Sequence, residues 1–349
     1  MKLKVLFAVL NWGLGHATRS ESIIDALLRR GLDLSIASSG LALAYLKLKF
    51  PSLDFLDLPD KEVNYSRGGA QVGLLKRALI QRSLNKNQEK WTRELLKSND
   101  FDLIVSDNVY GIYHPEIRSV LITHQLKPQV PVMSGAVESE IAKWINCFDE
   151  VWIPDIGENG IAGEMLNNSR VSIPKRYLGN ISRFEKGFDS SEIDYLAIIS
   201  GPEPQARIFH DLVLQKFKSR PGKKLIAYSG AKPADTGEVK YLVLGPNQDL
   251  NKWILKSRQI ICRSGFTSLL DIIMLSANAL VVPTPGQPEQ EYLAERMKKL
   301  GLMRAMSQKK FMASELEIFT GHDIDTRWSV SYLENTLNEF LNSKKPFAG

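Results

Sequence analysis

At 349 residues the chain is long for a single hydrophobic core, so two domains of roughly 150–180 residues each are expected. A hydrophobic content of 44% with 24% charged residues is that of a soluble globular protein and excludes disordered and fibrous classes. The net charge of +6 suits anionic substrates or an anionic membrane surface, and without a basic run interleaved with aromatics it is no nucleic-acid signature.

Taken in chain order, Met1-Lys2-Leu3-Lys4 and the apolar run after it resemble a secretory signal only superficially. The run is short and breaks at Asn11 without a small-residue cleavage site. Residues 4–10 instead read as a buried strand, followed by a turn with Gly13 and Gly15 and an amphipathic helix ending near Gly31. A dinucleotide-binding reading of that turn fails twice. Thr18 replaces the third glycine of the fingerprint, and the second strand (residues 32–38) ends in serines, with no acid for a ribose. The turn is shaped for close approach, but not to NAD.

A third strand (52–58), a glycine-bearing polar loop (63–73) and a long charged helix (74–98) come next. Strands at 101–108 and 118–125 end in Asp107 and His124, and a helix at 134–146 and a strand at 149–154 complete an alternating βα pattern, hence a parallel sheet. Residues 1–155 are assigned to this domain and the Gly- and Asn-rich stretch 156–174 to a linker. A second βα series over 175–326 forms another parallel-sheet domain, and a terminal helix within 327–343 is expected to cross back onto the first. The fold class is therefore α/β, with two doubly wound, Rossmann-like domains facing a central cleft. Cys147 and Cys262 lie in apolar sequence contexts and form neither a disulfide scaffold nor a metal cluster. The expectation is a cytoplasmic protein, open to peripheral association with the inner face of a membrane; oligomeric state has no signature.

The second domain is organised around residues 263–271, RSGFTSLLD, with the loop PGQPEQEY downstream. A β-branched run leads in, and an unbroken apolar run leads out as a helix packed on a sheet would. The turn places backbone N–H groups and a helix-dipole end where a phosphate could sit. Ser264, Ser268 and Asp271 recur at helical spacing, and an acid there can accept two hydrogen bonds from a ribose diol. An ordinary capped helix with an exposed acid is the alternative.

With those motifs in order, the chain resembles the GT-B-fold glycosyltransferases. It is most similar to the family 28 type, which includes the bacterial lipid-linked peptidoglycan N-acetylglucosaminyltransferase, and more distantly to family 1. The resemblance implies a donor site on Ser264, Gly265, Phe266, Thr267 and Asp271, with Gln287, Gln290 and Glu291 of the following loop near the donor sugar. It adds Arg183 of GNISR near the phosphates, Gly201 in a second glycine loop that prolines interrupt, and Asn247 in the segment that holds the base. GLGH resembles the family's N-terminal glycine loop, which assigns Gly13 and Gly15 to the acceptor side; His124, in THQLKP, either lines the acceptor cleft or is a satisfied structural histidine. Ala294 departs from the polar residue often found after the sugar loop. The implied reaction moves a hexose from a nucleotide-diphosphate sugar, a UDP-sugar foremost, to an acceptor hydroxyl, in cell-envelope or polysaccharide synthesis. The nucleotide sugar is a co-substrate; no metal or other cofactor is expected.

Such a transfer needs a base for the acceptor hydroxyl and stabilisation of the departing diphosphate. His16 and Asp107 both lie at the carboxyl edge of the first sheet, where an Asp–His pair would set the imidazole tautomer. The alternatives are that His16 caps its helix or contacts phosphate and that Asp107 caps a loop. His114, His210 and His322 lack supporting context, and HDID (322–325) reads as a solvated turn rather than a metal site. Two other functions share the architecture: nucleotide-sugar 2-epimerases, and non-catalytic nucleotide-sugar-binding subunits. The acceptor is not legible.

Overall fold

The computed structural model describes residues 2–60, 70–129, 134–187, 192–228, 230, 233, 236–244, 249–318 and 324–343, with backbone alone for 70–78 and 134. The polypeptide forms two compact units, one running to Ile181 and resuming at Ser331, the other comprising Ser182–Val330.

The first unit contains β1 (Lys4–Val9), α1 (Gly15–Arg29), β2 (Asp33–Ser38), α2 (Gly40–Lys49), β3 (Asp54–Asp57), α3 (Ala70–Leu95), β4 (Leu103–Asp107), β5 (Arg118–Ile122), α4 (Ser134–Ile145), β6 (Glu150–Ile153) and β7 (Lys175–Tyr177). Its seven strands run parallel in the order β3-β2-β1-β4-β5-β6-β7. β4, β5 and β6 are buried throughout, as a parallel sheet covered on both faces requires. The two-residue alternation of β1 divides the core: Val5, Phe7 and Val9 face Ile23, Ile24 and Leu27, while Leu6 and Ala8 face Phe101, Val109 and Ile112.

The second unit contains β8 (Ile193–Ile199), α5 (Gln205–Lys218), β9 (Lys224–Tyr228), β10 (Lys240–Val243), α6 (Leu250–Leu255), β11 (Ser257–Cys262), α7 (Phe266–Met274), β12 (Ala279–Val281), α8 (Pro288–Lys299), β13 (Arg304–Ala305) and α9 (Gln308–Ala313). Its six strands are again parallel, in the order β10-β9-β8-β11-β12-β13. Tyr195, Ala197 and Ile199 of β8 pack with Phe209, Val213 and Phe217 of α5 to form its core.

The chain then returns to the first unit as α10 (Leu333–Leu341). Leu333, Leu337 and Phe340 share one helical face and join the core under α1. Arg30 donates to the Glu334 carbonyl at 2.8 Å and to Asn338 Oδ1 at 2.9 Å. Phe340 meets the Trp152 ring edge-on at 5.0 Å, and the Arg118 guanidinium lies 3.6 Å from its centroid. Burying each such apolar side chain stabilises the unit by about 1.5–3 kcal/mol.

The division between units differs from the sequence expectation. Residues 156–174 are not a free linker: Ile161, Ala162, Met165 and Leu166 are buried, and both carboxylate oxygens of Asp155 accept main-chain N–H groups from 156, 161 and 162. β7 then pairs with β6, so residues 175–181 extend the first sheet rather than opening the second domain. Glycine and asparagine there serve tight turns, which in sequence look the same as a linker. Cys262 is buried as expected and its thiol is pushed up to about 12 by burial, whereas Cys147 is exposed. Among the described residues, no helix is long and apolar enough to cross a membrane.

Candidate active site

In each unit the strand order reverses direction at one place, β1/β4 in the first and β8/β11 in the second, and the carboxyl ends of those strands frame a crevice. In the first unit Val9 pairs with Asp107 at that edge. The chain leaving β1 turns through Gly13, whose φ of +66° is a conformation that L side chains rarely adopt. α1 begins at Gly15 with Leu14 in the capping position and no side-chain cap, so His16 does not cap the helix.

His16, Arg19 and Ser20 are spaced i, i+3, i+4 and present one face to the end of β4. There Asp107 is fully buried and takes a hydrogen bond from each. His16 Nδ1 lies 2.9 Å from Asp107 Oδ1, Ser20 Oγ donates to Oδ2 at 2.8 Å, and Arg19 donates from Nε to Oδ2 at 3.3 Å and from its other arm to Oδ1. Burial by itself would push the Asp107 carboxyl up. Arg19 and His16 outweigh that and hold it well below the usual carboxylate range, so it is an anion. An anionic carboxylate can only accept, so the proton of that contact sits on His16 Nδ1, and in the neutral ring the lone pair is then on Nε2. Arg19 also reaches His124 Nδ1 at 3.2 Å, which brings the residue after β5 into the same network. Beside it Asn108, at a φ of 60°, accepts from Thr123 Oγ1 at 3.0 Å and from the Tyr110 hydroxyl at 3.2 Å, and burial pushes that phenol up to about 12.

In the second unit β11 leads through Arg263, Ser264 and Gly265 into α7. Gly265 has an ordinary φ of −73°, and a Cβ there would meet nothing within 4 Å, so the glycine leaves open space at the helix tip. The side chain of Phe266 is buried, which leaves only its backbone to face a ligand; Thr267 and Asp271 are half-buried. Ser182 Oγ donates to Asp271 Oδ1 at 2.6 Å. Gly201, in the loop after β8, has a φ of +104° with nothing near its Cβ position. Arg183 stacks 5.0 Å from the Phe184 ring, and Asn247 lies outside the described residues.

The loop before α8 is held by its own polar groups. Gln287 caps α8 by accepting from Gln290 N–H at 2.6 Å, Gln290 Oε1 accepts from Thr284 N–H at 2.9 Å, and Glu291 Oε1 accepts from Gly286 N–H at 2.9 Å. Ser264 Oγ donates to the Gln290 carbonyl at 2.7 Å, tying the motif to the loop. The contacts to Thr284 and Gly286 use Gln290 Oε1 and Glu291 Oε1 and do not involve the Gln290 amide nitrogen or the second Glu291 oxygen. Among the described residues no three His, Cys, Asp or Glu side chains gather as a metal site, and Asp325 of HDID caps a short 3-10 turn. His210, without context in the sequence, is fully buried, 2.7 Å from Asp211 and 2.9 Å from the Tyr241 hydroxyl.

No protein-family model and no curated protein matches the sequence. Solved structures match in fold. The glycosyltransferase SnogD from Streptomyces nogalater superposes with a TM-score of 0.67 at 14% identity, covering 100% of this chain and 97% of its own. CalG4, the calicheamicin glycosyltransferase, gives 0.63 at 14% identity over 98% and 91%, and Acinetobacter baumannii MurG gives 0.56 at 12% over 98% and 91%. The chain has the GT-B fold.

Within this GT-B chain, four further side chains help to build the candidate sites. Arg19 and Ser20 carried a signal, because they recur at helical spacing from His16. Ser182, next to Arg183, carried none, since its partner Asp271 is 89 residues away. Arg263 is buried and spans to the Val282 and Pro283 carbonyls, both at 3.1 Å, and to Gln308 Oε1 at 2.8 Å. Burial pushes its guanidinium down to about 10, and its contacts pin the exit of β12 into the loop before α8.

Proposed function

We propose that this chain is a glycosyltransferase that moves a hexose-type sugar from a nucleotide-diphosphate sugar, a UDP-sugar foremost, to an acceptor hydroxyl with inversion and without a metal ion. His16 Nε2 takes the proton of the acceptor hydroxyl as its oxygen bonds to the anomeric carbon. The bond from that carbon to the diphosphate oxygen breaks, and the nucleoside diphosphate leaves with the electron pair. Asp107 stabilises the imidazolium that forms, as the third member of a Ser-His-Asp triad does. The N–H groups at the tip of α7 and the cation of Arg183 take up the leaving-group charge, Asp271 holds the ribose, and Gln290 and Glu291 hold the sugar. The reaction belongs in the cytoplasm, where nucleotide sugars serve polysaccharide or envelope synthesis.

The observation that carries this reading is the His16–Asp107 hydrogen bond at the strand-order reversal of the first sheet, in a chain with the fold of glycosyltransferases. The test incubates the protein with UDP-, dTDP- and GDP-sugars and with lipid-linked sugar, polysaccharide and small-molecule acceptors, following nucleoside diphosphate release and product mass. Release that depends on an acceptor, with a product heavier by one hexose, supports transfer. A donor isomerised at C2 without acceptor would make the protein an epimerase, and donor binding with no turnover would make it a binding subunit.

A further inference from the structure

Arg19 is 1% exposed, and all of its terminal nitrogens are committed to groups at the carboxyl edge of the first sheet. A guanidinium carries five N–H donors and accepts nothing. Its 3.2 Å contact with His124 Nδ1 therefore requires a lone pair on that nitrogen, which puts the His124 ring proton on Nε2. Arg19 also lies 3.0 Å from His16 Nδ1, but that nitrogen already carries the proton directed at Asp107, so the Arg19 donor goes to the carboxylate instead. One guanidinium thus borders two imidazoles whose Nδ1 atoms must be in opposite states.

We propose that Arg19 is a positioning residue that sets His16 and His124 in opposite tautomers. His16 carries its proton on Nδ1 and presents a basic Nε2; His124 carries its proton on Nε2 and is a donor there. Arg19 acts on His16 through Asp107, holding both carboxylate oxygens so that Oδ1 stays in line with Nδ1, and on His124 directly. A pair of this kind offers one accepting and one donating nitrogen at the same sheet edge. That suits a polyhydroxylated acceptor, whose reacting hydroxyl gives up a proton while another oxygen accepts a hydrogen bond. A lysine at 19 would keep the charge but lose the planar fork that serves the carboxylate and His124 together. The proposal rests on His16 as the base of transfer, yet the tautomers exist in the protein before any substrate is added.

The experiment is ¹⁵N NMR of the histidine rings in the full chain without substrate, with His16 and His124 assigned by loss of signals in His16→Gln and His124→Gln. The expected result is Nδ1–H at His16 and Nε2–H at His124. In Arg19→Lys, His124 should become a mixture of tautomers, and kcat for transfer should fall roughly 10²-fold, as misplacement of a catalytic group does, with affinity for UDP unchanged by calorimetry. A wild-type protein with the same tautomer at both rings, or with the two reversed, overturns the proposal. So does an Arg19→Lys variant with wild-type ring spectra. If Arg19→Lys does not fold, the wild-type spectra still decide. If the wild type transfers no sugar, the functional reading fails while the tautomer result stands or falls separately.

Discussion

Replacing Asp107 by asparagine keeps the shape of the side chain and removes the charge on which the first unit's network depends. In the wild type Oδ1 accepts from His16 and Arg19, and Oδ2 accepts from Arg19 Nε and Ser20. An amide has one acceptor oxygen, so one side of the network must face an NH₂ group. Ser20 can rotate its hydroxyl to accept from it, but Arg19 cannot. Arg19, 1% exposed, would then be a buried cation without its counter-ion. Removing one partner of such a pair costs about 3–5 kcal/mol, and for a unit of this size about 2–4 °C of Tm accompanies each kcal/mol. Asp107→Asn should therefore lower the melting temperature of the first unit by roughly 10 °C in calorimetry. Because much of that loss is the stranded Arg19 charge, the double variant Arg19→Gln/Asp107→Asn should be more stable than Asp107→Asn alone. The pH dependence has a definite sign. The folded-state carboxyl of Asp107 is held below its unfolded value near 4, so its stabilisation is fully present above about pH 5 and is lost as pH falls below about 4. The wild type should lose more stability between pH 5 and 3 than Asp107→Asn does. An Asp107→Asn variant within 1 kcal/mol of wild type, or a double variant whose losses simply add, would refute the argument.

Asp271→Ala should weaken UDP binding by about 1.5–3 kcal/mol, the scale of hydrogen bonds to a charged group, and calorimetry showing unchanged affinity would remove Asp271 from the site. Transfer should persist in excess EDTA; activity abolished by the chelator and restored by a divalent ion would require a metal that the account does not include. Gly13→Ala, which forces an L side chain into a φ of +66°, should cost about 1–2 kcal/mol despite the open space around it, measured by urea unfolding. A neutral effect would mean the turn relaxes.

Both parallel sheets were legible because their central strands are continuous apolar runs separated by helices of clear period, as in 101–108 and 193–199. α2 was not, because GLALAYLKLK is apolar almost all round: Ala42, Leu43 and Leu46 are buried, yet Leu41 and Leu48 are exposed at 68% and 62%. β7 escaped because three half-buried residues after a proline carry no alternation, and only pairing with β6 makes them a strand. His16 and Asp107 are legible as residues at one sheet edge, though His16 stands in the first turn of α1 rather than in the loop before it, and their bond spans 91 positions and depends on register. The expected sharing of one helix face by Ser264, Ser268 and Asp271 holds only for the last two, since α7 starts at Phe266 and Ser264 lies before it, bonded to Gln290. Roles that depend on distant partners, such as Ser182 on Asp271, have no local pattern to find.

The most direct test of the account is the kcat of His16→Ala against wild type with the same UDP-sugar and acceptor, with UDP affinity measured separately by calorimetry. The account predicts a loss of roughly 10²–10⁴ in kcat, the worth of a positioned general base, with UDP affinity nearly intact. A His16→Ala protein that turns over at the wild-type rate, or one whose loss is matched by a loss of UDP binding, would contradict it.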